Sequence, residues 1–151
     1  MTEPDIYDKL SRFCGYQERT IADVKKKLYA LKVEKDNYAE YIEKLQADNF
    51  LSEDRFVKSF VNGHLRKKWG TVKIKSALFK KQVPETLIKK YLQGVEDDDY
   101  REKLEKLAAD KIKRIKADTP QAAKVKLQRF LMSKGYTLTD INAVLAKMRK
   151  G

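Results

Sequence analysis

IKSALFKKQVPETLIKKYL, residues 74–92, carries apolar side chains at Ile74, Leu78, Val83, Ile88, Tyr91 and Leu92. Fifty residues earlier, VKKKLYALKVEKDNYAEYI (24–42) places Val24, Leu28, Val33, Tyr38, Tyr41 and Ile42 at the same points. Fifty-three residues later, LQRFLMSKGYTLTDINAVL (127–145) places Leu127, Leu131, Tyr136, Ile141, Val144 and Leu145 there. Each set shows helical spacing, a break, and helical spacing again. Each is therefore a helix–turn–helix pair whose apolar face needs neighbours to cover it. The chain reads as an all-α protein of three tandem three-helix repeats, over residues 1–50, 51–94 and 95–151. In an extended array of this kind, function is expected along a surface and not in one deep pocket.

The flanking residues supply the missing helices. In repeat one, Ile6, Tyr7, Leu10 and Cys14 predict a first helix, and Thr20 with Asp23 predicts a capping box for the second. Repeat two opens on Ser52 as N-cap, with Glu53 and Asp54 in the first turn, where carboxylates suit the positive helix end. Phe56, Val57, Phe60, Val61 and Leu65 form its apolar stripe. The repeat offset puts Gly70 at the cap position of Thr20 and Trp69 just ahead of the second helix, as a staple on Ile74. Pro84 suits the first turn of the third helix. Repeat three is expected to begin with a helix from about Glu96 to Ile115, followed by a Thr119-Pro120 start, a Gly135 stop and a Thr137/Asp140 capping box.

Composition narrows the class. The 151 residues are 42% hydrophobic and 37% charged, too apolar for disorder and too charged for one large core. A single cysteine, Cys14, excludes an internal disulfide and a multi-cysteine zinc site. No apolar run approaches the ~20 residues of a membrane helix, and the N-terminus does not resemble a signal peptide, so a cytoplasmic protein is expected. The net charge of +12 is uneven: 9 basic and 10 acidic residues in 1–50, 11 and 3 in 51–94, 14 and 9 in 95–151. A positive excess confined to repeats two and three implies a polyanionic partner.

The residues resemble the RecX family, small bacterial regulators of the RecA recombinase. The likeness rests on the Ile21–Leu28 helix with Val33, on Phe50-Leu51-Ser52-Glu53-Asp54-Arg55-Phe56, on Trp69-Gly70 with Lys73-Ile74-Lys75 and Leu78, and on Lys134-Gly135-Tyr136. The resemblance implies three three-helix repeats in an elongated, curved arrangement. It also implies a protein that binds the groove of the RecA–DNA filament, inhibits ATP hydrolysis, strand exchange and co-protease activity, and is not an enzyme; a monomer without a cofactor is expected. One departure stands out. Where the family often has glycine at the turn into the third helix, this chain has Lys32 and Gln82. A left-handed cap without glycine costs on the order of 1 kcal/mol, so another turn geometry is expected there.

The candidate binding residues are Arg66, Lys67 and Lys68 at the end of one helix, then Lys73, Lys75, Lys80 and Lys81 on the next, and Lys126, Arg129 and Lys134 at similar positions of repeat three. If about six to ten such side chains meet phosphates, affinity falls ~10³–10⁵-fold between about 50 and 200 mM salt. A sequence-independent DNA-binding helical protein without a recombinase partner is the alternative, and a salt-insensitive helical scaffold is a third. His64, on the apolar stripe, reads as a packing residue, and Asp97-Asp98-Asp99 as first-turn charges and not a metal site. Cys14 lacks a histidine partner in its repeat, and no nucleophile–base–oxyanion set can be assembled.

Overall fold

The structure is a computed structural model and describes residues 1–150, the side chain of Lys150 excepted. Among the described residues it is built from α-helices: α1 (Glu3–Tyr16), α2 (Ile21–Ala30), α3 (Tyr38–Ala47), α4 (Glu53–Arg66), α5 (Thr71–Lys80), α6 (Glu85–Leu92), α7 (Asp98–Ile112), α8 (Pro120–Ser133) and α9 (Leu138–Lys150). It is an all-α helical repeat fold. The chain divides into two compact units, Met1–Phe60 with Leu78–Ile88, and Val61–Ala77 with Lys89–Gly151. The helices of repeat two are thus shared between the units.

Helix starts follow from their cap residues. Thr2 and Thr20 each accept the N–H of an aspartate three residues on, and that aspartate returns the bond to the cap backbone. Thr20 is fully buried, yet the capping box satisfies its hydroxyl. Ser52, Thr119 and Thr137 also accept from the third residue beyond. Pro84 sits one position outside α6, its carbonyl accepting the Leu87 and Ile88 N–H groups.

In the first unit Leu10, Cys14, Val24, Leu28, Ile42, Leu45 and Leu51 form one buried cluster. The second unit buries Tyr100, Leu104, Ala108, Leu127, Leu131, Tyr136, Ile141, Val144 and Leu145 together. Each fully buried leucine contributes about 1.5–3 kcal/mol by leaving water. The apolar skeleton of repeat one contributes to the first cluster and that of repeat three to the second, and Ile74, Leu78, Val83 and Ile88 of repeat two are buried as well.

Two expectations need correction. The helix expected from Glu96 to Ile115 spans only Asp98–Ile112. Asp97 stands outside as an N-cap with extended backbone, accepting the Tyr100 N–H. Beyond Ile112 the bonding shifts to tight i→i+3 bonds, Arg114 N–H to Lys111 and Ile115 N–H to Ile112.

The second correction concerns the turns lacking glycine, which do adopt the left-handed geometry. Lys32 and Gln82 both have φ of 61°, and Gly135 at the matching point has 97°. All three helices close with the same pair of bonds. Val33, Val83 and Tyr136 donate to the carbonyls of Leu28, Leu78 and Leu131, while Lys32, Gln82 and Gly135 donate to those of Tyr29, Phe79 and Met132. Burial of Val33, Val83 and Tyr136 to varying degrees pins these turns and overrides the local preference. Relieving the strain should therefore stabilise the protein. Lys32→Gly and Gln82→Gly are each expected to add roughly 0.5–1 kcal/mol. An unchanged or lower denaturant midpoint for both would contradict this account.

Candidate functional site

The site is built around the start of α5. A helix leaves its first N–H groups without intrahelical partners, and repeat three supplies them here. Gly70 donates to the Lys134 carbonyl at 2.7 Å, Thr71 to the Tyr100 hydroxyl at 3.0 Å, and Val72 to the Gly135 carbonyl at 2.9 Å. The Tyr136 hydroxyl in turn donates to the Lys68 carbonyl at 2.8 Å, and the Thr71 hydroxyl to Glu96 at 3.0 Å. The contact is close because both partners lack a side chain. A Cβ on Gly70 would lie 2.2 Å from the Gly135 oxygen, and one on Gly135 would lie 2.3 Å from the Lys73 Cβ. Burial raises the Tyr100 phenol, against the opposing effect of its bond to Thr71, and pushes the Tyr136 phenol well above the usual tyrosine range.

This junction gathers several of the predicted cations. Lys68 precedes it in a left-handed cap with φ of 65°, and Lys73 and Lys134 flank the glycine pair. The Lys73 ammonium rests 4.1 Å from the centre of the Trp69 ring, and the same ring meets His64 at 4.2 Å. His64 is half-buried, as a packing residue should be. Arg66 and Lys67 are exposed at the end of α4, and Lys75 is exposed on α5. On α8, Lys126 and Arg129 lie one turn apart in solvent, with Lys126 donating to the Lys116 carbonyl at 2.5 Å. Lys80 and Lys81 fall in the first unit, where Lys80 is exposed and the Lys81 ammonium sits 5.6 Å from the Phe56 ring.

Among the described residues none of these ten cations makes an ion pair. The carboxylates are matched to other cations: Asp98 to Arg101, Asp99 to Lys103 and Glu105 to Lys147. The triple aspartate is thus a helix cap and two short-range pairs. The positive field of the candidate residues is left to act outward.

The opening of repeat two has a comparable duty in the first unit. The Glu53 carboxylate accepts the Ile21 N–H at 2.9 Å. Arg55 bonds the Glu18 carboxylate at 2.7 Å and both the side chain and carbonyl of Asn49. Glu53 caps α2 much as Tyr100 caps α5, at the same register position. No local pattern announces either bond, because each donor lies about 30 residues from its acceptor.

The same unit holds a groove of about 500 Å³ lined by Tyr7, Tyr41 and Phe50, by the carboxylates Glu3, Asp8 and Glu40, and by Lys44. Cys14 is buried, and burial pushes its thiol up, away from the thiolate a nucleophile needs. No helix among the described residues is long and apolar enough to cross a membrane.

Comparison with known proteins identifies relatives of this helical chain. Family models described as the second and third three-helix domains of RecX match residues 52–92 and 87–145. The regulatory protein RecX of Clostridium tetani is 33% identical over 149 residues, covering 97% of this chain and 60% of the relative. That of Clostridium perfringens strain 13 is 30% identical over 132 residues, covering 86% and 62%. The chain spans about three fifths of the length of these curated relatives. The crystal structure of RecX from Lactobacillus salivarius superposes with a TM-score of 0.88 at 23% identity, covering 98% of this chain and 97% of that one, a likeness of fold.

Proposed function

The chain belongs to the RecX family, and we propose that it is a non-catalytic regulator that binds the groove of a RecA–DNA filament and lowers its ATP hydrolysis, strand exchange and co-protease activity. The observation that carries this reading is the set of unneutralised cations around the α5–α8 junction. The main chain at Lys68 and Lys134 is fixed by bonds across the junction and the Lys73 ammonium rests over Trp69, so no loop has to be ordered when an anion docks. The basic faces of repeats two and three then meet the polyanionic core or the acidic protein rims of the filament, and repeat one, near neutral, meets protein. A ligand that favours one arrangement of adjacent protomers opposes the movements that couple nucleotide hydrolysis to strand exchange.

The test is RecA ATP hydrolysis supported by single-stranded DNA. Equimolar protein is expected to slow it severalfold, and an unchanged rate would remove the reading. The alternative, a DNA-binding helical protein with no recombinase partner, draws on the same cations. It predicts tighter binding to naked DNA than to preformed filaments at equal salt, whereas the regulator prefers the filament.

A further inference from the structure

Three large apolar side chains stand in water at one register position. Tyr29 and Phe79, both in the first unit, are each 75% exposed, and Met132 in the second is 53% exposed. They follow the buried leucines Leu28, Leu78 and Leu131, and their carbonyls accept the N–H of the left-handed residue that closes the helix. The position is thus structurally equivalent in every repeat. Single exposed apolar residues are ordinary and carry no message. Recurrence is different, because neighbouring exposed positions change in kind from repeat to repeat, as Ala30, Lys80 and Ser133 do. The folded chain gains nothing from an apolar group left in solvent, so its retention in three divergent modules points to burial elsewhere.

We propose that Tyr29, Phe79 and Met132 are apolar anchors, each entering a recess with an acidic rim on a partner made of identical repeating subunits. Resting on the recombinase reading above, this assigns them to the protein of the filament. Two features select that occupant. The cations Lys25 and Lys26, Lys75, and Arg129 stand three or four positions before the anchors, so the rim of each recess is anionic. Met132 has no aromatic face. The conserved property across the three positions is apolar volume and not ring stacking, which selects a protein recess over stacked nucleobases.

The experiment measures binding of the full chain to RecA filaments preformed on single-stranded DNA, and to the same DNA alone, by fluorescence anisotropy. Tyr29→Ser and Phe79→Ser are each expected to weaken filament binding about tenfold or more. The double variant should lose it, with thermal midpoints and naked-DNA binding unchanged because both side chains are solvent-facing. Variants within twofold of wild type, while wild type binds filaments, overturn the anchors and leave the recombinase reading standing. Equal losses on naked DNA overturn them in favour of stacking. A wild type that ignores filaments removes both.

Discussion

Gly70→Ala and Gly135→Ala are each expected to destabilise the second unit by about 3–5 kcal/mol, a large share of the ~5–15 kcal/mol that holds a domain of this kind folded. A methyl on Gly70 meets backbone at 2.2 Å, and one on Gly135 meets the Lys73 Cβ at 2.3 Å and its N at 2.6 Å. Neither neighbour is the far end of a flexible chain, so α5 and the α8 turn must separate. Separation breaks the bonds from Gly70 to Lys134 and from Val72 to Gly135. Each buried backbone group left unpaired costs about 1–3 kcal/mol. Gly135→Ala also places an alanine at φ of 97°, adding about another 1 kcal/mol. Trp69 is the sole tryptophan and adjoins Gly70, so its fluorescence reports unfolding of this region directly. Gly15→Ala is the control, since a Cβ there meets nothing within 4 Å and alanine suits a helix better. Midpoints of the two variants equal to that of the control would show that the glycine contact carries no weight.

Reversing three exposed cations, Arg66, Lys67 and Lys80, to glutamate is expected to weaken filament binding about 100-fold or more at low salt. Each lost phosphate contact should also flatten the dependence of log affinity on log salt by about 0.7–0.9. None of the three makes an ion pair among the described residues, so the fold loses nothing with them. Thermal stability should match wild type, and relief of like-charge repulsion favours a small rise. Titrations at several salt concentrations separate this from a packing defect, which would lower affinity without changing the slope. An unaltered slope with unaltered affinity would place the partner's anionic surface elsewhere on the protein.

The ten cations named from charge asymmetry and repeat offset were legible as a group, but not as a geometry. Lys73, Lys134 and Lys68 converge only because two glycines 65 positions apart let backbones touch, and nothing near either glycine names the other. Lys73 and Lys80 share α5, as their spacing of seven implies, whereas Lys81 lies just past that helix with its ammonium near the Phe56 ring. The exposed anchors were present in the repeat alignment all along. Attention to the apolar positions that match the buried stripe passes over Tyr29, Phe79 and Met132, since exposure cannot be read from a residue's type.

Helices, caps and turns were readable from the chain because their causes are local. Thr20 and Asp23 meet across three residues, Pro120 starts α8 and Gly135 stops it, and the spacing of Val24, Leu28 and their counterparts defines which side is buried. The left-handed turns at Lys32 and Gln82 went the other way. There, burial of the following valine outweighs a local preference worth only about 1 kcal/mol. The bonds of Glu53 to Ile21 and of Tyr100 to Thr71 likewise depend on packing. Short-range interactions leave a signature in spacing, whereas long-range ones are chosen by the fit of surfaces that exist only after the helices have packed.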